Sequence, residues 1–159
     1  MGIEFKYYKN TDKVFEEKDI ICELCEKTSN YNYIWWFYWS ESFENICVDC
    51  IKNWILKEYD CYLNEVCNIE LDNKIKEEIE YRTPSIVSFQ EQCWPSHCND
   101  ACTYYWIANY NDIELYTSEI GKELGLDSKE KFKDLLQWWY ILKFKCEKCS
   151  KIIFKLDLD

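Results

Sequence analysis

Two short stretches decide how this chain folds: Cys22-Glu23-Leu24-Cys25 and Cys47-Val48-Asp49-Cys50. A Cys-x-x-Cys turn brings two thiolates to one side, about 2.3 Å from a shared zinc ion, and two such turns complete a tetrahedron. The pairs are separated by 21 residues, a spacing that suits a four-cysteine site. Behind the second pair, Ile51, Trp54 and Ile55 recur at helical spacing, so a helix is expected to open on Cys47 and Cys50. Its N-terminal dipole then helps to hold the thiols deprotonated. A Cys-x-x-Cys turn, a strand hairpin and a helix starting on the second pair together make a treble-clef arrangement. Cys22, Cys25, Cys47 and Cys50 are therefore read as the ligands of a structural zinc ion. With cysteine at all four positions, no coordination site is left for chemistry.

A third pair, Cys146-x-x-Cys149, calls for partners, and the nearest unused candidates are His97, Cys98 and Cys102. If a helix begins at Cys98, Cys98 and Cys102 share a face, because residues four apart do so. The resulting second zinc site is Cys98, Cys102, Cys146 and Cys149, with His97 as an alternative ligand. His97 is the sole histidine. It cannot supply a two-histidine metalloprotease motif, and its surroundings lack the H-x-E and P-C-x-x-C pattern of zinc deaminases. Adjacent residues point apart in a helix or a strand, which argues against His97 activating Cys98 as a nucleophile. No catalytic residue is assigned.

Around these pairs the chain reads as α+β. Residues 3–8 are expected to form an edge strand, and Asn30 to Trp39 an almost wholly aromatic and β-branched strand buried on both faces. A helix is expected over Asn73–Tyr81, with Asp72 as its N-cap and Pro84 ending it. Another is expected near 112–124, ending at Gly125. A last helix, capped by Asp127 or Ser128 and running to about Trp139, sets Phe132, Leu135, Leu136 and Trp139 on one face. Trp138, Trp139 and Tyr140 at its end are read as core. The tail forms two short strands around Cys146 and Cys149. The architecture expected is one small domain over residues 1–159, combining treble-clef and zinc-ribbon-like elements with short sheets and several helices. Its first zinc module covers about 15–60, and its second is built from about 93–105 plus 140–159.

Composition narrows the function. The chain has 159 residues, 11 of them cysteine, with 48% apolar and 18% aromatic content, so wholesale disorder is excluded. With 3 glycines and 2 prolines, Gly-rich phosphate loops are excluded too. The formal net charge is −11. Residues 60–120 hold twelve acidic side chains against three basic ones, and Arg82 is the only arginine. Such a field repels nucleic acid and steers basic partners. The opening residues lack the basic and apolar regions of a signal peptide, and no apolar run approaches the roughly 20 residues of a membrane span. A cytoplasmic location is expected. There thiols stay reduced, and many cysteines point to metal before disulfides.

The order of these motifs, with Arg82-Thr83-Pro84, Gln90, Trp94-x-x-His97-Cys98-x-Asp100-Ala101-Cys102, Cys146-x-x-Cys149 and Asp157, resembles the CbrC family, bacterial proteins linked by name to colicin tolerance. The resemblance covers roughly residues 15 to 159. Here Lys27-Thr28-Ser29-Asn30 stands where that family carries small residues and glycine, and Asn99 where it often carries glycine. Cys61, Cys67 and Cys93 have no counterpart in it. What the resemblance implies is a ligand set and a role in tolerance to a toxin. The function expected is that of a non-enzymatic zinc protein with two ions, an immunity or tolerance factor that binds a basic bacterial toxin. The alternative is a redox-responsive zinc and thiol protein.

Overall fold

The structure, a computed structural model, describes residues 2–34, 43–86, 88, 93–138 and 141–157. The first module is a hairpin of β1 (Phe15–Ile21) and β2 (Thr28–Tyr33), joined by the Cys22–Cys25 turn. Val14, Phe15 and Tyr33 are buried, and the Phe15 and Tyr33 rings meet at 5.3 Å. The part of the expected aromatic strand from Trp35 to Trp39 lies outside the described residues. Helix α1 (Val48–Lys52) opens with Cys47 as N-cap, as the second cysteine pair requires.

That helix is shorter than its apolar spacing predicts. Trp54 adopts a left-handed conformation (φ 64°), and a 3-10 turn, Ile55–Tyr59, follows. The cause is the packing of Trp54, whose ring stacks on Tyr81 and lies beneath the Arg82 guanidinium. Arg82 also donates from Nε to the Lys52 carbonyl at 2.6 Å and pairs with Glu78. The lone arginine thus closes the C-terminus of α1. Helix α2 (Asn73–Arg82) matches its sequence signals closely: the Asp72 carboxylate accepts from Lys74 N–H, Ile79 is buried, and Thr83 before Pro84 is extended.

The second half is built on a three-stranded antiparallel sheet, β5 (Thr103–Ile107), β6 (Ile141–Lys145) and β7 (Ile152–Leu156), in the order β5-β6-β7. Both faces are covered. Leu142 and Phe144 join the main core with Trp94 and Tyr104, whereas Ile141 and Phe154 pack with Phe132, Leu136 and Leu124. A small hairpin, β3 (Ser96–His97) and β4 (Asp100–Ala101), precedes the sheet. The helix expected near 112–124 is divided into a 3-10 turn, Tyr110–Leu115, and α3 (Ser118–Glu123), because Thr117 caps a fresh start by accepting from Ile120 N–H. Gly125 (φ 68°) ends it. Ser128 caps α4 (Lys129–Leu136). The architecture is α+β with short antiparallel sheets.

Two expectations fail here. Residues 3–8 form no strand: Phe5 bridges Tyr8, and Tyr8 makes a single parallel bridge to Tyr104, which binds the segment to the free edge of β5 without extending the sheet. Trp138 is not core but 67% exposed, since α4 ends at Leu136 and leaves it on the surface; Trp139 and Tyr140 lie outside the described residues.

Candidate metal centres

The first centre grows out of the two opening motifs. The ligand atoms of Cys22, Cys25, Cys47 and Cys50 all lie within 4.8 Å of one another. Cys22 Sγ is 3.6 Å from Cys50 Sγ, and Cys25 Sγ is 3.8 Å from Cys47 Sγ. A tetrahedron with ~2.3 Å zinc–sulfur bonds has edges of about 3.8 Å, so the four thiols fit the ion. Cys22, Cys47 and Cys50 belong to the main core. Cys22 receives backbone N–H from Cys47 at 3.4 Å. Burial raises the Cys22 thiol, but the N–H groups of Cys47, Cys25 and Leu24 outweigh it and bring it down to about 7. Burial pushes Cys47 up to about 11 and Cys50 higher still. Holding Cys47 and Cys50 as thiolates beside Cys22 therefore calls for a cation among them.

Knuckle and helix are held in register by Glu23, the second residue of the motif. Its Oε1 accepts from the N–H groups of Glu44 and Asn45 at 3.0 and 2.9 Å, while its own N–H donates to the Asn45 carbonyl. The buried Asn32 amide adds a link by accepting from Ile46 N–H at 3.1 Å.

The second centre is His97, Cys98, Cys146 and Cys149, whose ligand atoms also lie within 4.8 Å of one another. His97 Nδ1 is 3.2 Å from both Cys98 Sγ and Cys149 Sγ. This differs from the leading sequence expectation, in which Cys102 completes the set. The reason is local backbone. No helix starts at Cys98; Cys98 (φ 52°) and Asn99 (φ 55°) form the two-residue turn between β3 and β4, the positive-φ pair that tight hairpins need. The turn swings Cys98 back beside His97, so adjacent residues could hold one ion where a helix or strand would separate them. Cys102 lies beyond the hairpin, fully buried, its N–H given to the Pro95 carbonyl and its carbonyl accepting from Trp94 Nε1. Burial holds its thiol up at about 12.

Cys146 and Cys149 come from the turn between β6 and β7, a copy of the first knuckle. In both, the first cysteine donates its N–H to a carbonyl five residues on (Lys27, Lys151), and the residue after the second cysteine returns an N–H to the first cysteine's carbonyl. That residue is left-handed in each, Glu26 (φ 57°) and Ser150 (φ 63°). Cys146 is held down to about 6: burial raises it, but the contact with His97 and the N–H groups of Cys149 and Lys148 prevail. Lys148, the third residue of this knuckle, donates Nζ to the carbonyls of Cys98 and Asn99 at 3.0 and 3.4 Å and lies 3.6 Å from the Asp100 carboxylate. Tyr7 donates to the other Asp100 oxygen at 2.6 Å. Glu23 and Lys148 do the same work with opposite charges, and neither stands out in the sequence, since each sits at a variable position of its motif.

A family model described as an uncharacterised protein family (UPF0167) matches residues 3–158. The chain belongs to that family. No solved structure matches it. All eleven cysteines are unbridged, eight of them being the seven thiol ligands and Cys102. The other three stand apart from both groups: Cys61 is fully buried, Cys67 half-buried and Cys93 exposed.

Proposed function

We propose that this is a non-catalytic zinc protein that acts by binding another protein, and that the partner is a basic bacterial toxin. The observation that carries the reading is the donor set: each centre is filled by four protein ligands, three or four of them thiolates, so zinc bound there braces the fold and leaves no open position for substrate. Within the family, the chain resembles the CbrC proteins, tied by name to colicin tolerance, and this supports toxin neutralisation as the role. We place it in the cytoplasm, without nucleic acid or membrane as partner; no helix among the described residues is long and apolar enough to cross a membrane.

The acidic middle region supports the choice of a basic partner, in a narrower form than composition suggests. Glu77, Glu78, Asp100, Asp112, Glu114 and Glu119 are engaged in ion pairs, mostly with lysines from outside the region. Asp60, Glu65, Glu70 and Asp72 remain exposed with no ion pair among the described residues. They offer unpaired carboxylates for charge-steered docking. The test is co-expression with a panel of basic, nucleic-acid-cleaving colicins. Protection of the cell, weakened by Glu65→Lys with Glu70→Lys, is the outcome expected. Protection against none of them removes the toxin from the account.

A second reading is a redox-responsive zinc protein, and the exposure of Cys98 and Cys149 favours it. Two such thiolates oxidise to a disulfide as hydrogen peroxide is reduced to water, and the ion is then lost. Mild peroxide that frees no zinc eliminates this reading.

A further inference from the structure

The two centres meet solvent differently. In the first, Cys22, Cys47 and Cys50 are at most 5% exposed and only Cys25 is half-buried. In the second, only Cys146 is shut in; Cys98 and Cys149 are exposed and His97 is half-buried. His97 also lines an open cleft of about 780 Å³, together with Cys67, Cys93 and the β7 residues Ile153 and Leu156. A second hollow, of about 370 Å³, is lined by His97, Cys98 and Asn99. Neither of these cavities, nor a third of about 510 Å³ beside Phe5 and Tyr8, is lined by a ligand of the first centre.

A four-coordinate ion leaves a protein quickly only when an incoming ligand can reach it before a resident ligand departs. That demands free space beside the ligands and at least one ligand able to swing away. The second centre meets both conditions. Its two exposed thiols and its half-buried imidazole stand on hairpin tips, and the cleft admits a molecule of chelator size. Among the described residues the first centre meets neither: Cys22, Cys47 and Cys50 are packed in the core, Cys25 is half-buried against it, and Glu23 and Asn32 sew the knuckle and β2 to the Glu44–Ile46 segment that leads into α1.

We infer that the second centre is an exchangeable zinc site, loaded and stripped through the cleft beside His97 by a small chelating ligand or an acceptor thiol, whereas the first holds its ion as long as the fold persists. Each ligand bond that breaks is replaced by one to the acceptor. A released thiolate takes a proton from the solvent, a released imidazole leaves as the neutral ring, and no electron moves. Cys67 and Cys93 set two further soft donors along the way out. The inference rests on both centres holding zinc and is independent of the toxin.

The experiment uses the full chain loaded with two zinc ions. An excess of the chromogenic chelator 4-(2-pyridylazo)resorcinol should remove one ion in a fast phase and the other only in a separate, much slower one. Refilling the vacated centre with cobalt(II) should give the spectrum of three thiolates and one imidazole. Cys93→Trp, which narrows the cleft without touching a ligand, should slow the fast phase and leave the slow one unchanged. Release of both ions at one rate, a four-thiolate cobalt spectrum in the refilled centre, or a fast phase indifferent to Cys93→Trp overturns the inference. A chain that binds no zinc at all sinks the metal reading itself, a failure distinguishable from these.

Discussion

Lys148 is the side chain on which the second centre most depends without being a ligand. Its ammonium holds the carbonyls of Cys98 and Asn99 and faces Asp100, so it fixes the hairpin tip against the knuckle that carries Cys146 and Cys149. Removing such an outer contact weakens metal binding, and Lys148→Met should lower zinc affinity at this centre by about tenfold while sparing the first. Competition titration against a chelator reads both. Glu80 offers a pH test at the same scale. Burial raises its carboxyl above the usual range, against the N–H of Val66, which it accepts. A carboxyl raised in the folded state favours folding at acid pH and costs stability once it ionises. Glu80→Gln should therefore be more stable than the parent at pH 7, and the advantage should fade as pH falls below the ordinary carboxylate range. Denaturation at the two pH values checks this, and an advantage that grew on acidification would refute it. Six of the seven thiol ligands were legible in the sequence because Cys-x-x-Cys spacing carries its own geometry; Cys98 was expected from a helix that does not form. The choice of His97 over Cys102 was not, because it turns on the positive φ of Cys98 and Asn99. The one available hint was asparagine at a tight turn, a residue that tolerates this conformation.

At the scale of elements, the two knuckles share one strained residue each. Glu26 and Ser150 adopt the left-handed conformation, which costs roughly 1–2 kcal/mol in a residue with a side chain and nothing comparable in glycine. Glycine in turn gives up roughly 0.5–1 kcal/mol of chain entropy on folding. Glu26→Gly and Ser150→Gly should each stabilise the zinc-loaded protein by up to about 1 kcal/mol, a rise of about 2–4 °C in Tm. Calorimetry on the loaded protein is the check, and a fall in Tm would contradict it. Helices with a side-chain cap were legible: Asp72 and Ser128 start α2 and α4 where their sequences indicate. Apolar spacing misled after Cys50, because Trp54 leaves the helix to stack on Tyr81, a partner distant in sequence. The split of the 112–124 segment had a visible signal in Thr117, a good N-cap inside an otherwise continuous pattern.

Over the whole molecule, stability is divided between a core and two metal centres. The first centre is part of the core, so Cys47→Ser exposes unpaired thiols there and forfeits zinc binding on the order of 10 kcal/mol. That is comparable with the entire 5–15 kcal/mol of a typical domain, and Cys47→Ser should abolish cooperative unfolding. Cys61→Ser also acts in the core, where Cys61 is fully buried, but the Tyr59 carbonyl can accept the new hydroxyl, so its cost should be about 1 kcal/mol. Cys67→Ser, half-buried, should cost less. Charge was legible as a total and not as a surface, since five of the six paired acids of the middle region reach partners distant in sequence, Glu78 pairing with Arg82 within α2. Two zinc ions and seven thiolates also take the formal charge from −11 to about −14, deepening the acidity on which the proposed basic partner depends. The central claim is a pair of zinc centres, one of four cysteines and one of three cysteines and His97. Zinc K-edge absorption on the purified chain, with metal content by elemental analysis, tests it most directly. Two ions per chain are expected, with seven sulfur ligands at about 2.3 Å and one nitrogen at about 2.0 Å between them. One ion or none, or a shell of sulfur alone, would contradict it.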